Sequence, residues 1–137
     1  VVQCKAVEEL VRNSDIICTT TPSTTPVLPD DKELLRGKCI IAIGSYMPEM
    51  REIPDAILDL VDNVYIELPY ACEESGDLSQ PLASGKLTKD RVKLMHEYLA
   101  SGDAEIKEGQ TTYFKSVGMG LFDVCIAQKL YEVAKEK

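Results

Sequence analysis

Three short stretches of small and hydroxyl-bearing residues follow apolar runs in this 137-residue sequence. They are Thr19-Thr20-Thr21, Gly44-Ser45 and Ser116-Val117-Gly118. Glycine has no Cβ and lets a backbone approach a ligand closely, while Ser and Thr offer a hydroxyl group beside a backbone N–H. Strand ends of this kind form ligand-binding crevices in α/β sheets. The sequence therefore predicts one crevice bordered by these turns.

The polar groups of the turns define which ligand groups they could contact. Threonine hydroxyls at a strand end are candidates for ribose or phosphate contacts, although β-branched residues favour strands in any case. The N–H groups of Ser116, Val117 and Gly118 are interpreted as opening a helix, where they could receive an amide or a carboxylate. Tyr46 and Lys115 are the polar side chains best placed to face the crevice. A single Gly-Ser turn is more often a tight connection without a ligand.

The elements that would position these turns alternate between strands and helices. Apolar and β-branched runs predict strands buried on both faces, and i, i+3, i+4 stripes predict helices. The predicted strands cover residues 15–21, 39–43, 63–68 and 110–114, preceded by a strand end at Val1 to Cys4. The predicted helices cover residues 6–12, 32–36, 54–61, 73–78 and 88–99, with an amphipathic terminal helix from Gly120. This order favours an α/β fold with a parallel sheet and right-handed crossovers.

Composition narrows the class of protein. Lys+Arg number 15 and Asp+Glu 23, and the net charge of -8 repels nucleic acid and anionic membranes. No apolar run reaches the ~20 residues of a membrane span, and the first residues lack the features of a signal peptide. Five widely spaced cysteines without a Cys-x-x-Cys pair indicate reduced thiols in the cytoplasm. The length allows a single domain.

Titratable side chains give few further candidates. His96 is predicted on a solvated helix face, and without a His/Cys cluster no zinc or iron site is predicted. Most carboxylates, Glu52 and Asp77 among them, are predicted to be solvated, and Asp55 is placed in a first helical turn, where the helix dipole stabilises it. Lys115 is interpreted as a surface residue by default.

Three ordered motifs, DIICTTTPSTTPVL (15–28), IGSYMPEMRE (43–52) and YFKSVGMGL (113–121), resemble the ornithine cyclodeaminase/mu-crystallin family. Gly76-Asp77-Leu78 followed by Gly85 also matches the family's intervening segment. The resemblance implies an NAD(P)-dependent protein. Members cyclise ornithine to proline, reduce cyclic imines or interconvert alanine and pyruvate, and mu-crystallin binds NADPH and thyroid hormone.

The resemblance also assigns roles to individual residues. Thr19 and Thr21 would lie against the adenosine half of the cofactor, and Gly44 and Ser45 would border the nicotinamide. Ser116 would hold the carboxamide, with Val117 near the substrate. The catalytic aspartate of ornithine-cyclising members falls at Tyr46, so the catalytic residue is unknown. The pattern resembles the family's imine-reductase or unassigned branch more than its cyclodeaminases. A cofactor-contacting lysine of the same motif falls at Met50.

No Gly-x-Gly-x-x-Gly turn occurs in the sequence. The family places that fingerprint, the first strands and the substrate domain ahead of the matched motifs. The expectation is thus a partial Rossmann-like parallel sheet over residues 1–137, with the substrate domain absent and no activity on its own. The alternatives are a non-enzymatic ligand-binding or interaction module and one half of a split enzyme. The predicted strand 15–21 would form an unpaired edge, and two copies are expected to pair along it as a homodimer or to bury the vacated face otherwise.

Overall fold

The structure, a computed structural model, describes residues 1–102 and 107–136. Within these ranges the chain forms five strands, seven α-helices and one 3₁₀ turn at Lys89–Arg91. The strands are β1 (Ile16–Thr19), β2 (Cys39–Ala42), β3 (Val64–Ile66), β4 (Val92–Leu94) and β5 (Thr112–Lys115). The helices are α1 (Val7–Arg12), α2 (Lys32–Leu35), α3 (Asp55–Leu60), α4 (Ala71–Glu74), α5 (Gly76–Ser84), α6 (Met95–Ala100) and α7 (Gly120–Lys135).

All the strand pairs of the sheet are parallel, in the order β1-β2-β5-β3-β4. The last strand in sequence, β5, therefore lies at the centre, and β1 lies at one edge, as predicted. The strands are also in register at their carboxyl ends, because their last residues pair across the sheet. This row is Thr19, Ala42, Lys115, Ile66 and Leu94. The predicted α/β architecture with a parallel sheet is confirmed.

One face of the sheet is closed by a hydrophobic core. Alternate strand residues such as Ile40, Val64 and Tyr113 are fully buried there, in one cluster with Leu35 of α2 and Ile57 of α3. The chain moves across the sheet in one direction from β2 to β4 and then returns to β5. With right-handed crossovers, the returning connection places α6 on the opposite face.

The opposite face is covered only in part. Tyr98 of α6 packs its ring against Tyr65 of β3, with ring centroids 4.6 Å apart. An apolar cavity of about 320 Å³ remains between α6 and the side chains of β2 and β5. Towards the β1 edge, Ile16 is 63% exposed and Cys18 is exposed. This half of the second face is an apolar surface open to solvent.

Helix α7 is likewise open on all sides. The predicted terminal helix is confirmed, but none of its residues is buried. Its exposed large side chains are Leu121, Phe122, Val124, Ile126, Leu130, Tyr131 and Val133. An amphipathic helix normally packs its apolar face against a core. Together with the open half of the second sheet face, α7 is a surface of the kind that marks a protein–protein contact.

Two sequence predictions about secondary structure are wrong. Val1 to Cys4 form no strand. The helix predicted over residues 88–99 is instead the 3₁₀ turn, β4 and α6, and the Thr88 side chain caps nothing. Val92 and Leu94 fit a helical stripe and a strand alternation equally well over so few residues, and pairing with β3 decides for the strand.

Three other observations bear on the predicted class. Across the described ranges, none of the helices has the length and apolarity needed to cross a bilayer. All five cysteines are free thiols. His96 is exposed on α6, as predicted.

Candidate functional site

The three predicted turns lie side by side at the carboxyl edge of the sheet. They follow β1, β2 and β5, which are neighbouring strands. The Ile43 N–H donates to the Thr19 carbonyl at 2.9 Å, and the Ser116 N–H donates to the Ala42 carbonyl at 2.9 Å. The predicted clustering of the turns at one edge is therefore confirmed.

A buried carboxylate, Glu52, joins the turns after β1 and β2. Its Oε2 accepts hydrogen bonds from the Thr19 hydroxyl and from the Gly44 N–H, both at 2.8 Å. Its Oε1 accepts the Thr21 N–H at 2.5 Å. Glu52 is fully buried, so these bonds do not compete with water. The Glu52 carboxylate thus fixes two neighbouring turns from behind.

A second buried carboxylate, Glu67, fixes the turn after β5. Its Oε1 accepts the Ser116 hydroxyl at 2.8 Å, the Val117 N–H at 2.6 Å and the Gly118 N–H at 3.1 Å. Its Oε2 is buried and has no hydrogen-bond partner among the described residues. Glu67 directly follows β3, which pairs with β5, and the parallel register carries it to this turn.

The segment between β2 and α3 is held by Asp77 and a serine pair. Asp77 Oδ1 accepts the N–H groups of Glu52 at 2.7 Å and Ile53 at 2.9 Å. The Ser45 hydroxyl donates to the Met50 carbonyl at 2.8 Å and lies 2.8 Å from the Ser75 hydroxyl. These contacts place Glu52 where it meets the turns.

Beneath the turns lies a buried pair of opposite charges. Lys115 Nζ is 3.6 Å from Asp77 Oδ2 and 3.3 Å from the Ala42 carbonyl oxygen, and both side chains are fully buried. The distance to Asp77 is that of an ion pair rather than a hydrogen bond. Burial raises the pKa of Asp77 and lowers the pKa of Lys115, although each is opposed by the attraction between them. Desolvation therefore outweighs pairing at this position.

The structure shows where the side chains of the predicted site residues lie. Thr19, Ser45 and Ser116, for which cofactor contact stays a prediction, have side chains that are buried and hydrogen-bonded within the protein. Lys115 is neither a surface residue nor a group facing the crevice, because it is fully buried. Thr21 is half-buried, and its N–H is bonded to Glu52.

Two further predictions about this edge are wrong. Ser116, Val117 and Gly118 do not open a helix, since α7 begins only at Gly120. The Val117 and Gly118 N–H groups donate to Glu67 of the same chain, and the Ser116 N–H donates to the Ala42 carbonyl. Glu52 and Asp77 are not solvated.

What remains open at this edge is mostly backbone and apolar side chain. Thr20, Ile43 and Gly118 are exposed, Val117 is half-buried, and Tyr46 is 50% exposed. Gly44 leaves no room for a side chain, because a Cβ there would lie 2.2 Å from the Thr21 backbone. The arrangement offers a smooth wall with a rigid polar layer behind it.

Sequence reasoning missed the role of the buried carboxylates. Glu67 stands next to the apolar run Val64–Ile66, and a carboxylate directly after a buried strand was the available signal. Asp77 and Glu52 gave no local signal. Their hydrogen-bond partners lie 24 or more residues away in sequence, and the one exception is Gly44, which donates to Glu52.

Comparison with known proteins identifies the family to which this chain belongs. The sequence pattern described as the ornithine cyclodeaminase/mu-crystallin family matches residues 1–137. The chain belongs to this family. The expected resemblance is confirmed over its whole length, and the sheet is the Rossmann-like sheet of NAD-binding dehydrogenase structures, of which the chain spans about two-fifths.

Members of the ornithine cyclodeaminase/mu-crystallin family are among its similar sequences and structures. A Δ1-pyrroline-2-carboxylate reductase of Bacillus cereus is 36% identical over 132 residues, which are 94% of this chain and 40% of that protein. A probable ornithine cyclodeaminase of Bordetella pertussis is 32% identical with a TM-score of 0.76, over 96% of this chain and 43% of that one. An archaeal alanine dehydrogenase dimer with bound NAD is 26% identical with a TM-score of 0.75, over 97% and 42%.

Proposed function

We propose that residues 1–137 form the nicotinamide side of an incomplete dinucleotide-binding domain, part of an NAD(P)-dependent oxidoreductase that acts on amino acids or cyclic imines. The observation that supports this most is the pair of turns after β2 and β5, which lie side by side at the carboxyl edge of the sheet. Ligands of open α/β sheets bind at that edge. The similar reductase and the NAD-bound dehydrogenase act on small substrates of this class by their names.

The residues of this edge fit the ring end of NAD(P) better than its phosphate end. The exposed backbone near Ile43 and Gly118 and the half-buried Val117 would form the wall for the ring and its carboxamide. The sequence has no Gly-x-Gly-x-x-Gly turn for the pyrophosphate. When bound, NAD(P) supplies or accepts a hydride at the substrate carbon. The residues of this chain would orient the ring and exclude water on one side, while Glu52 and Glu67 keep the wall rigid.

Reduction of cyclic imines is the reaction class that we favour over ornithine cyclisation. The resemblance puts the catalytic acid/base of ornithine cyclodeaminases at the position of Tyr46, whose phenol is exposed. A phenol offers an O–H donor, but it has no carboxylate that could act as the base. Protonation of an imine nitrogen needs only a donor, whereas cyclodeamination also needs a base.

Cofactor binding without turnover is the expected behaviour of the chain alone. NADH and NADPH are expected to bind residues 1–137 weakly, with dissociation constants of about 1 mM, because these residues include no Gly-x-Gly-x-x-Gly turn for the pyrophosphate. NMR titration measures this affinity. The Val117→Asp variant should bind NADH and NADPH at least about tenfold more weakly, since the neutral reduced ring would have to desolvate the new carboxylate. Glu33→Gln, on α2 before β2, is the matched control and should bind as wild type does.

Hydride transfer to cyclic imines or from alanine is the complementary measurement. No turnover is expected from the chain alone. Turnover would contradict the proposed inactivity and also the alternative of a non-enzymatic module. If neither NADH nor NADPH perturbs the spectrum at several millimolar, the cofactor proposal is wrong.

Two alternative functions are supported by the exposed apolar side chains of α7 and of the second sheet face. The chain could act as a non-enzymatic ligand-binding or interaction module, or as one half of a split enzyme whose other half covers this surface. A neighbouring reading frame with a Gly-x-Gly-x-x-Gly turn would favour the split enzyme. The net charge of -8 argues against nucleic-acid and membrane partners, and the five free thiols suit the cytoplasm.

Pairing of two copies along β1 is the quaternary structure that we propose. Asp15 and Thr19 accept hydrogen bonds from β2, so the backbone groups of Ile16 and Cys18 point to the open edge. The Cys18→Pro variant removes one outward N–H without breaking a bond to β2. We expect wild type to sediment as a dimer at micromolar concentration and Cys18→Pro as a monomer. An Ile126→Lys control on α7 should remain dimeric.

The other sedimentation results contradict edge pairing. A wild-type monomer refutes the homodimer. A dimer that survives Cys18→Pro but dissociates with Ile126→Lys shows that α7 is the contact instead.

A further inference from the structure

The charge of the buried Glu67 carboxylate lies directly behind the turn that borders the proposed ring site. The three donors to its Oε1 are a hydroxyl and two amides, all of them neutral groups. Hydrogen bonds of this kind orient the carboxylate but do not cancel its charge. With Glu67 only 5% exposed, solvent screens that charge poorly.

The surroundings of Glu67 are acidic rather than balanced. Glu52, Glu67 and Asp77 are all buried at the carboxyl edge. The one buried ammonium at this edge among the described residues, that of Lys115, lies nearest to Asp77 and also attracts Glu52 and Glu67, so three carboxylates share one positive charge. A ligand that meets the wall therefore experiences an excess of negative charge. In such a field a cationic ligand is favoured over a neutral ligand of the same shape.

The oxidised nicotinamide ring carries a positive charge, and the reduced ring is neutral. We propose that Glu67 is a positioning residue that holds the Ser116–Gly118 turn. Through its charge, Glu67 also makes this site bind the oxidised cofactor in preference to the reduced one. This inference rests on the proposed function. The residue has two separable effects. Its Oε1 shapes the turn for either form of the ring, and its charge discriminates between the two forms.

The Glu67→Gln variant separates these effects. The glutamine oxygen can still accept the three hydrogen bonds, while the negative charge is lost. We expect the ratio of the dissociation constants for NAD⁺ and NADH, measured by NMR titration of the chain, to rise about fivefold to thirtyfold. That range corresponds to a unit charge at roughly 8 Å in an effective dielectric of about 20 to 40.

Two controls test whether the effect comes from charge rather than from shape. Ser116→Ala removes a hydrogen bond of the turn without changing the charge, so both dissociation constants should change by the same factor. Glu33→Gln removes a distant, exposed carboxylate and should change neither. Amide hydrogen exchange at Val117 and Gly118 reports independently whether the turn is intact in Glu67→Gln.

The outcomes distinguish this inference from the function on which it rests. If both cofactor forms bind and Glu67→Gln leaves their ratio unchanged, the charge effect is refuted and the proposed function stands. If wild type binds neither form, the proposed function itself fails. If Glu67→Gln does not fold, Glu67→Asp replaces it in the test. This variant keeps the charge, so it must retain the wild-type ratio of the dissociation constants for NAD⁺ and NADH. A fivefold rise of that ratio in Glu67→Asp also refutes the inference.

Discussion

The Asp77→Ala variant is expected to lose about 3–5 kcal/mol of unfolding free energy, the cost of removing one partner from a buried ion pair. The loss has two sources. The Lys115 ammonium, now 3.6 Å from an Asp77 carboxylate oxygen, would be left buried without its nearest counter-charge. The N–H groups of Glu52 and Ile53 would also lose their acceptor. Urea unfolding followed by circular dichroism measures the change.

A double-mutant cycle shows whether Asp77 and Lys115 act as a pair. In Asp77→Asn the amide oxygen still accepts both backbone N–H groups, and in Lys115→Met a chain of similar size fills the same volume. The double variant should be more stable than the sum of the single losses predicts, by about 1–3 kcal/mol. Additive losses would contradict the pairing of the two charges.

The same variants have opposite pH dependences. Burial raises the pKa of Asp77 above 3.8, so between 3.8 and the folded pKa the folded protein holds more protons than the unfolded chain does. The stability of wild type relative to Asp77→Asn should therefore fall as pH rises through the folded pKa. Burial lowers the pKa of Lys115 below 10.5, so the unfolded chain binds more protons there. The stability of wild type relative to Lys115→Met should therefore rise as pH increases towards 10.5.

Most of the sheet was predictable from the sequence because its strands are continuous apolar runs. The runs at β1, β2, β3 and β5 are read correctly as strands, since a continuous apolar run has no competing helical period. Their predicted burial on both faces is wrong for β1, where Ile16 and Cys18 are exposed. β4 is not, because three residues that alternate around Lys93 are too few to show a period. Only pairing with β3, which is a tertiary contact, defines that strand.

The position of the candidate site was predictable, but the hydrogen-bond partners of its buried side chains were not. Small residues after strands locate the turns, and parallel strands bring their ends to one edge. The side chains that face inward depend on long-range partners. The resemblance gives Ser116 the role of holding the carboxamide, and the sequence does not show that its hydroxyl donates to Glu67, 49 residues away. The sequence alone does not show which hydroxyl donates a hydrogen bond to a distant carboxylate.

The Gly44→Ala variant is expected to lose at least about 3 kcal/mol of unfolding free energy, the upper end for overpacking of a rigid site. A Cβ at Gly44 would lie 2.2 Å from both the N and the O of Thr21 and 2.7 Å from Glu52 Oε1. The Thr21 N–H is bonded to Glu52, so the turn after β1 cannot withdraw without breaking that bond. The new methyl group therefore strains the contact that joins the turns of β1 and β2.

Gly120→Ala is the matched control, because it makes the same chemical change where the structure has room. A Cβ at Gly120, the first residue of α7, would meet nothing within 4 Å. Alanine favours a helix over glycine, so this variant should be unchanged or more stable by up to about 1 kcal/mol. Urea unfolding of both variants gives the comparison. A Gly44→Ala protein as stable as Gly120→Ala would mean that the turns of β1 and β2 are not rigidly joined, and the proposed wall of the ring site would lose its physical basis.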